Sequence, residues 1–562
     1  MNNYNFDFDE LLRKLHLKNL DNKNNNGIFS HLKALIVFLV IFGIYYYLNY
    51  PVLSLRSTSS IFFMLICFGF FIFLDIVFTR SFTKFNKVMI SFACIAALAT
   101  LALDFIGGPI FQADKYHQQL QILEISDFSE DFNAVSMDKI PLVDKDTAVL
   151  LGDKKVGDVS GLGSQYYVND LYTLVSSNDD LYRVSPLEYD DFIKWFQNNK
   201  TGTPGYIKVN VSNPNDVELV LLEDGLKYLP SAYLNDNLFR HLRFKYPTKL
   251  MTDYSFEIDD NGKPYWVVST YLPEVSVFGG PNATGVIICD PVTGESEFYE
   301  LGSIPEWVDR VQPSSIAWTQ LNNYGTYVNG FFNTIFGQKD MLTTTDGYNY
   351  VNIDGQTNIF SGMTSMGTDN SLVGFALINL KTSVAKFYQV GGADEYSAMS
   401  SAEGQVQHLG YDASFPVLLN IADQPTYFVA LKDSEGLVKM YAYINVTNYS
   451  IVGVGNNIAE TQADYLQKLN NAGMGSNIDG GGVGETIESQ IELIDSAIFE
   501  GGSVYYIKLV DSEKLFIVPL SLNNELPLTK IGDLVKIAYL ADDSNSIAAM
   551  NFDNLEYQFS EN

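Results

Sequence analysis

The chain has 562 residues, 47% of them hydrophobic, and a formal net charge of −31. The hydrophobic content excludes a disordered chain, and the length excludes a single core, so a multi-domain protein is expected. So acidic a body repels phosphate backbones and anionic headgroups, which excludes a nucleic-acid binder.

The charge is unevenly spread. Nine Lys/Arg and six Asp/Glu lie before Gly107, whereas 26 and 60 follow it. Residues 1–32 read as a short cytoplasmic tail. Its spacing of Phe8, Leu11, Leu12, Leu15, Leu17 and Leu20 predicts an amphipathic helix, and Arg13, Lys14 and Lys18 suit it to the inner leaflet.

Residues 33–111 hold three apolar runs, Ala34–Tyr50, Ile61–Phe78 and Val88–Leu103. Each approaches the ~20 residues that a hydrocarbon core demands, and lipid leaves backbone amides no partner but their own helix. The sequence therefore predicts a three-helix transmembrane bundle. Arg13, Lys14, Lys18, Lys23 and Lys33 precede the first run and Arg80, Lys84 and Lys87 the third, against Arg56 alone between the first two. The positive-inside rule then places the N-terminus in the cytoplasm and the large C-terminal part outside, in a multi-pass protein of a bacterial plasma membrane. Tyr45, Tyr46, Tyr47 and Tyr50 form an aromatic belt at the outer end of the first run. Asp75 and Asp104 lie about one turn from opposite membrane faces, and burying either charge costs ~2.5 kcal/mol or more. The small residues Ala93, Ala96, Ala97, Ala99 and Ala102 suit close packing, within the bundle or between copies in a homo-oligomer.

Residues 112–146 read as a helical stalk, and 147–470 as an extracytoplasmic α+β region with antiparallel sheets. Ser185 as N-cap, Pro186 at the first helical position and Glu188 as capping-box partner predict a helix. Leu187, Phe192, Trp195 and Phe196 would form its buried face. A hairpin around Ser212–Asp216 follows. A second helix, ended by Pro247, leads to strands joined at Asp259–Gly262 and to another hairpin around Pro291–Gly294. Further on, PEWVDRV, TQLNNYGTYVNGFFNTIF, Asp394–Leu409 and Ile458–Leu469 read as helices among strands. Residues 471–484 are a Gly-rich linker. Five strand-like runs within 485–562 predict a small OB-like β-barrel, and its acidic surface points to protein contact.

The hairpin GVIICDPVTGESEFYEL resembles the last hairpin of PepSY-type domains, with the D-x-x-T-G-E turn as Asp290, Pro291, Val292, Thr293, Gly294 and Glu295. PepSY-like units are thus expected near 185–311, and the resemblance implies a domain that binds or restrains a partner protein. RHLRFKYPT, SFEIDDNGKPYWVV, PEWVDRV and SAEGQVQHLGYDASFPVLLN together resemble a group of uncharacterised bacterial membrane-anchored proteins, which implies an envelope location.

Catalytic patterns are sparse. His117, His241 and His408 have no nucleophile elbow beside them, and Ser383–Lys386 satisfies S-x-x-K in letters alone. Cys67 and Cys94 lie in the spans and Cys289 is alone in the soluble part, so no paired-cysteine zinc site forms. Glu257, Asp259 and Asn261 imitate a calcium loop, but Val268 stands where a bidentate Glu is needed. Gly480–Gly482 lacks the GKS/T of a phosphate loop. No cofactor, metal or catalytic residue is expected. The candidate partner-binding patch is Arg240, His241, Arg243, Lys245 and Lys249, where Arg240 and Arg243 share a helix face. The expected function is non-enzymatic binding or scaffolding in the cell envelope with an envelope protein partner. The alternatives are a hydrolase or transferase with a dispersed site, or a transporter accessory subunit.

Overall fold

The computed structural model describes residues 27–125, 128, 140–177, 180–353, 355–366, 372–472, 474, 484–499, 502–523, 525–540 and 546–557. The amphipathic helix read in the tail lies outside them, as does most of the Gly-rich run.

Three helices are long and apolar enough to cross a membrane: α1 (Gly27–Asn49), α2 (Thr58–Thr79) and α3 (Lys84–Gly107). They pack in sequence, α1 on α2 and α2 on α3. Ser57 caps α2 by accepting from the amide of Ser60, and Arg80 ends that helix in the left-handed region. Thr83 and Asn86 form a reciprocal capping box at the start of α3. Ile36, Leu39, Ile66, Phe92, Ile95 and Leu98 face outward, which is the pattern of a lipid-facing surface.

Among the described residues no long helical stalk follows. Helix α4 (Pro109–His117) is short, and β1 (Ile122–Ile125) pairs in parallel with a strand some 260 residues on, Ile122 opposite Ala385. Alternating apolar residues in QILEI suit an edge strand, and that pairing wins over helix propensity.

After α5 (Lys145–Gly157), β2 (Tyr166–Val168), β3 (Thr173–Ser177) and β4 (Asp180–Tyr189) begin an antiparallel sheet. It continues, past α6 (Phe192–Asn198), with β5 (Thr203–Asn210) and β6 (Val217–Leu226). Ser185, Pro186 and Glu188 are thus in a strand, and α6 begins later, capped by Asp191. Every residue from Arg183 to Tyr189 is buried, and Arg183, Ser185 and Glu188 find polar partners. The Ser185 hydroxyl donates to the carbonyl of Asn169, and the Glu188 carboxylate accepts from the Ser231 amide at 2.7 Å and from Asn169 at 2.8 Å. Pro186 falls between the β3 and β2 pairings of β4, where a missing N–H is tolerated. Leu187 and Trp195 are buried as expected, but Phe192 and Phe196 are 48% and 67% exposed.

Helix α7 (Leu238–Lys245) precedes a four-stranded meander of β7 (Leu250–Ile258), β8 (Pro264–Pro273), β9 (Pro281–Cys289) and β10 (Ser296–Glu300). PEWVDRV forms turns and not a helix. It is bracketed by Pro305 and Pro313, and Val308 and Val311 cover the sheet face made by Val267, Val286 and Ile288.

Helices α8 (Ser314–Thr326) and α9 (Asn333–Phe336) lead to β11 (Leu342–Thr344), β12 (Asn349–Ile353), β13 (Gln356–Ser365), β14 (Leu372–Asn379) and β15 (Ala385–Tyr388), which with β1 make a six-stranded sheet. Helix α10 (Glu395–Gln405) then precedes β16 (Asp412–Ala413), β17 (Val417–Ile421), β18 (Gln424–Lys432), β19 (Val438–Asn445) and β20 (Val452–Gly455), a fourth sheet flanked by α11 (Ile458–Asn471). One apolar cluster, including Phe360, Phe375, Tyr427 and Ile444, joins these last two sheets.

The C-terminal unit has β21 (Gly484–Phe499), β22 (Gly502–Leu509), β23 (Leu515–Pro519), β24 (Leu534–Leu540) and β25 (Ser546–Asn554). Their pairings run in a ring, β21–β22–β23–β25–β24 and back to β21. The first half of β21 pairs with β24 and the second with β22, with a register shift between Ile491 and Leu493, so one bent strand serves both sides.

The strand assignment of Glu188 makes a testable difference. In an exposed capping box, Glu188→Ala costs under ~1 kcal/mol. In β4 it strips buried donors of their acceptor, and a loss of about 1–3 kcal/mol is expected in denaturant unfolding of the detergent-solubilised protein.

Candidate functional site

The basic patch on α7 is where sequence and structure diverge most. Asn237 caps this helix by accepting from the Arg240 amide, which fixes the direction of the side chains beyond it. Arg240 extends to the body end of α1. Its guanidinium lies 4.8 Å from the Tyr47 ring and 5.5 Å from the Tyr50 ring. Nε donates to the Tyr47 carbonyl at 2.8 Å, and Nη1 to the Leu234 carbonyl. Arg243 donates to the carbonyls of Lys249 (2.6 Å) and Tyr246, and burial holds its pKa below the ordinary arginine value. His241 Nε2 lies 2.7 Å from the Gly294 carbonyl. Lys245 donates to the Ser296 carbonyl, and the Lys249 ammonium lies 3.3 Å from the Phe298 ring centre.

All five residues are therefore spent on carbonyls and aromatic rings of this same chain. The abundant carboxylates are not their partners. Of the five, Arg240 makes the joint between the body and the membrane helices, while the others brace α7 and the segment after it within the body. Tyr46 and Tyr47 against Phe244, at 5.3 and 6.0 Å, reinforce that joint. The Tyr47 hydroxyl donates to Asn235, the Leu53 amide to the Pro247 carbonyl, and Arg56 to the Pro273 carbonyl. On the far side of the bundle, the Tyr116 hydroxyl reaches back to the carbonyl of Gly107, the last residue of α3.

The opposite end of the bundle carries a second cluster. Asp75 is fully buried. Its Oδ1 lies 2.5 Å from His31 Nδ1 on α1, and its Oδ2 accepts from Asn86 on α3 at 2.7 Å. Three helices thus meet at one carboxylate with both oxygens occupied, an arrangement that locks helix positions. His31 and Asn86 were not singled out from sequence. Their signal was positional, because each opens a span at the same end that Asp75 nearly closes. Asp104 instead meets Thr58 at 3.4 Å near the body end.

A third cluster welds the sheets. Glu257 on β7 accepts from the Ser255 hydroxyl at 2.5 Å and from the Asp309 amide at 2.9 Å, while Asp309 accepts from the Ser176 amide on β3. Burial, and then the neighbouring Glu257 charge, push Asp309 up to about 7; burial raises Glu257 as well. Arg310 stacks 4.2 Å over Tyr350, and Arg183, held by the carbonyls of Val143 and Tyr172, is pushed down to about 10 by burial. Such a pair can hold a proton, and both carboxyls are buried.

Of the histidines, His117 Nδ1 sits 2.7 Å from the Tyr324 carbonyl and its ring stacks on Tyr324, while His408 is exposed beyond α10. Ser401 donates to the Ser397 carbonyl, and Ser383 occupies a turn with φ 60°. Among the described residues no group of three His, Cys, Asp or Glu could hold a metal ion.

No family model matches the chain, so the PepSY-type likeness rests on the residues quoted for it. No curated protein matches it significantly. Among solved structures, a levansucrase mutant from B. megaterium aligns with 75% of this chain and 97% of its own at 7% identity. Its TM-score of 0.18 carries no argument about fold or activity.

Two outcomes are expected. Arg240→Ala should loosen the joint, lowering the melting temperature by the equivalent of about 1–3 kcal/mol, and Arg240→Lys should recover a part of this, since an ammonium lacks the planar fork. For Asp309, the raised pKa means that the folded state keeps a proton which the unfolded chain releases between 3.8 and about 7. Stability is then greatest below that window, falls as pH rises through it and is flat above it. Asp309→Asn keeps an acceptor for Ser176 and should flatten the profile, stabilising the protein near neutral pH by on the order of a few kcal/mol while changing little at about pH 4. Melting curves across pH check this.

Proposed function

We propose that the chain is a non-enzymatic binding or scaffolding protein of the bacterial cell envelope. In this reading α1 to α3 anchor it in the plasma membrane with the N-terminus in the cytoplasm, and the acidic body stands outside. The observation that carries it is the joint. Arg240, Arg56 and Tyr116 tie the body to the body-side ends of the spans, so it presents its sheets in a fixed attitude to the bilayer. A tethered enzyme does not need such a connection, whereas a platform for assembling a partner does.

The C-terminal unit completes the proposal. The ring order, with β23 and β25 parallel, supports an OB-like barrel. Glu485, Glu488, Glu492 and Asp495 on β21 argue against oligonucleotide binding and for an envelope protein with a basic surface. Ala99 and Ala102, exposed on α3, offer a contact for a second copy.

Affinity capture of the tagged full-length protein from native membranes in mild detergent should return one envelope protein in stoichiometric amount. It should be lost when Glu485, Glu488, Glu492 and Asp495 are changed together to Gln or Asn. A protein that purifies alone under all mild conditions would sink the scaffold.

A further inference from the structure

Two exposed apolar patches flank the body end of the bundle, one beside α1 and one beside α3. The patch beside α3 lies at the end of α8. In its first turn lies Ser315, whose hydroxyl meets Asp253 several residues up β7. The helix passes Gln320, bonded to the Pro281 carbonyl at the near end of β9, and reaches Tyr324 over His117. The Tyr327 ring then lies 6.1 Å from that of Tyr116, whose hydroxyl bonds the end of α3. Helix α8 therefore runs towards the membrane. Immediately after it, Phe332, Ile335 and Phe336 stand 64%, 57% and 82% exposed. The loop carrying them is closed on itself: Asn333 accepts from the Lys339 amide and donates to its carbonyl, and Asn329 donates to Lys339 and Asp340. Its backbone needs are largely met from within while its apolar side chains point away, as burial in lipid requires.

The patch beside α1 is built on α6. Phe192, Ile193 and Phe196 are exposed, and Phe192 packs edge-on against Tyr233 at 5.1 Å. Tyr233 adjoins the exposed Leu234 and then Asn235, which accepts from Tyr47 at the end of α1. Phe192 and Phe196, two of the four residues that sequence periodicity marked as buried, are thus solvent-facing on the side of the body that meets the span end.

We propose that both patches are seated in the bilayer leaflet on the body side, dipping to the boundary of headgroups and acyl chains. Continuity with the spans selects lipid as the occupant. Each patch joins a span end through a single residue contact, at Tyr116 and at Asn235. Lys339 and Lys194 stand at their rims, where their long stems let the charge return to headgroups. The inference goes beyond the scaffold reading, since it depends neither on a partner nor on which side of the membrane the body occupies.

The test uses the full-length protein in phosphatidylcholine proteoliposomes whose lipids are brominated in the acyl chain just below the headgroup. Phe336→Trp, Ile193→Trp and, on the β19–β20 turn, Tyr449→Trp are compared after subtracting the emission of the parent, and unchanged melting temperatures confirm their folds. The Phe336→Trp and Ile193→Trp signals should fall by roughly half against unbrominated lipid and resist aqueous iodide, as expected at ~5–10 Å depth. Tyr449→Trp should show the reverse. Emission at either patch that is quenched by iodide and indifferent to bromine would overturn the proposal. Emission indifferent to both would overturn it too, by showing that a second copy covers the patch.

Discussion

A single guanidinium organises the join between two solvents. Arg240 lies against two tyrosine rings and donates to two backbone carbonyls, one on each side of the join. An arginine there satisfies several constraints together. Its planar face suits aromatic rings, and its fork can serve two acceptors in different elements. A carboxylate partner would need its own desolvation at the rim of the bilayer, whereas carbonyls at a helix end are already in want of donors. The tyrosines of the aromatic belt therefore serve as receptors for the body as well as interfacial anchors.

Inside the body the same economy of polar partners holds the sheets together. The chain is strongly acidic, yet several of its carboxyls are not surface groups. Glu188, Glu257 and Glu395 are fully buried and Asp309 nearly so, and each accepts from a backbone amide of another segment. They act as pegs between elements that are distant in sequence. Ser176 to Asp309 and Asp309 to Glu257 connect β3, the turn region after β10, and β7 in one step each. The outward acidity and the inward carboxyls thus have different jobs, and composition does not separate them.

The spans were legible because hydrocarbon thickness and backbone satisfaction impose a long, uninterrupted apolar run. Hairpins such as β5–β6 and β7–β8 were legible through their turn residues. What failed was local chemistry that tertiary structure overrode. Ser185-Pro186-Leu187-Glu188 has the letters of a helix start, but neighbouring strands on both sides claim it. PEWVDRV has helical spacing, but two prolines and the Asp309 contacts hold it in turns. QILEI continues a helical pattern until a parallel partner some 260 residues away takes it. The basic patch was found, and its role was not, because its partners are carbonyls and rings that carry no complementary charge pattern in sequence. His31 and Asn86 escaped for a related reason: each looks like an ordinary residue at a helix start until three helices bring them to Asp75.

The joint also sets a timetable for biogenesis. Tyr47 leaves the ribosome 193 residues before Arg240, so the three helices must be inserted while their body-side ends have nothing to hold. Until α7 has emerged and the meander behind it has closed, the Asp75 cluster holds the helices at the far end while their body-side ends stay free to splay and tilt. Docking of α7 then ends that freedom in one late, long-range step, and long-range contacts of this kind form slowly. The half-made protein therefore passes through a period in which its anchor is in place and its orientation is not.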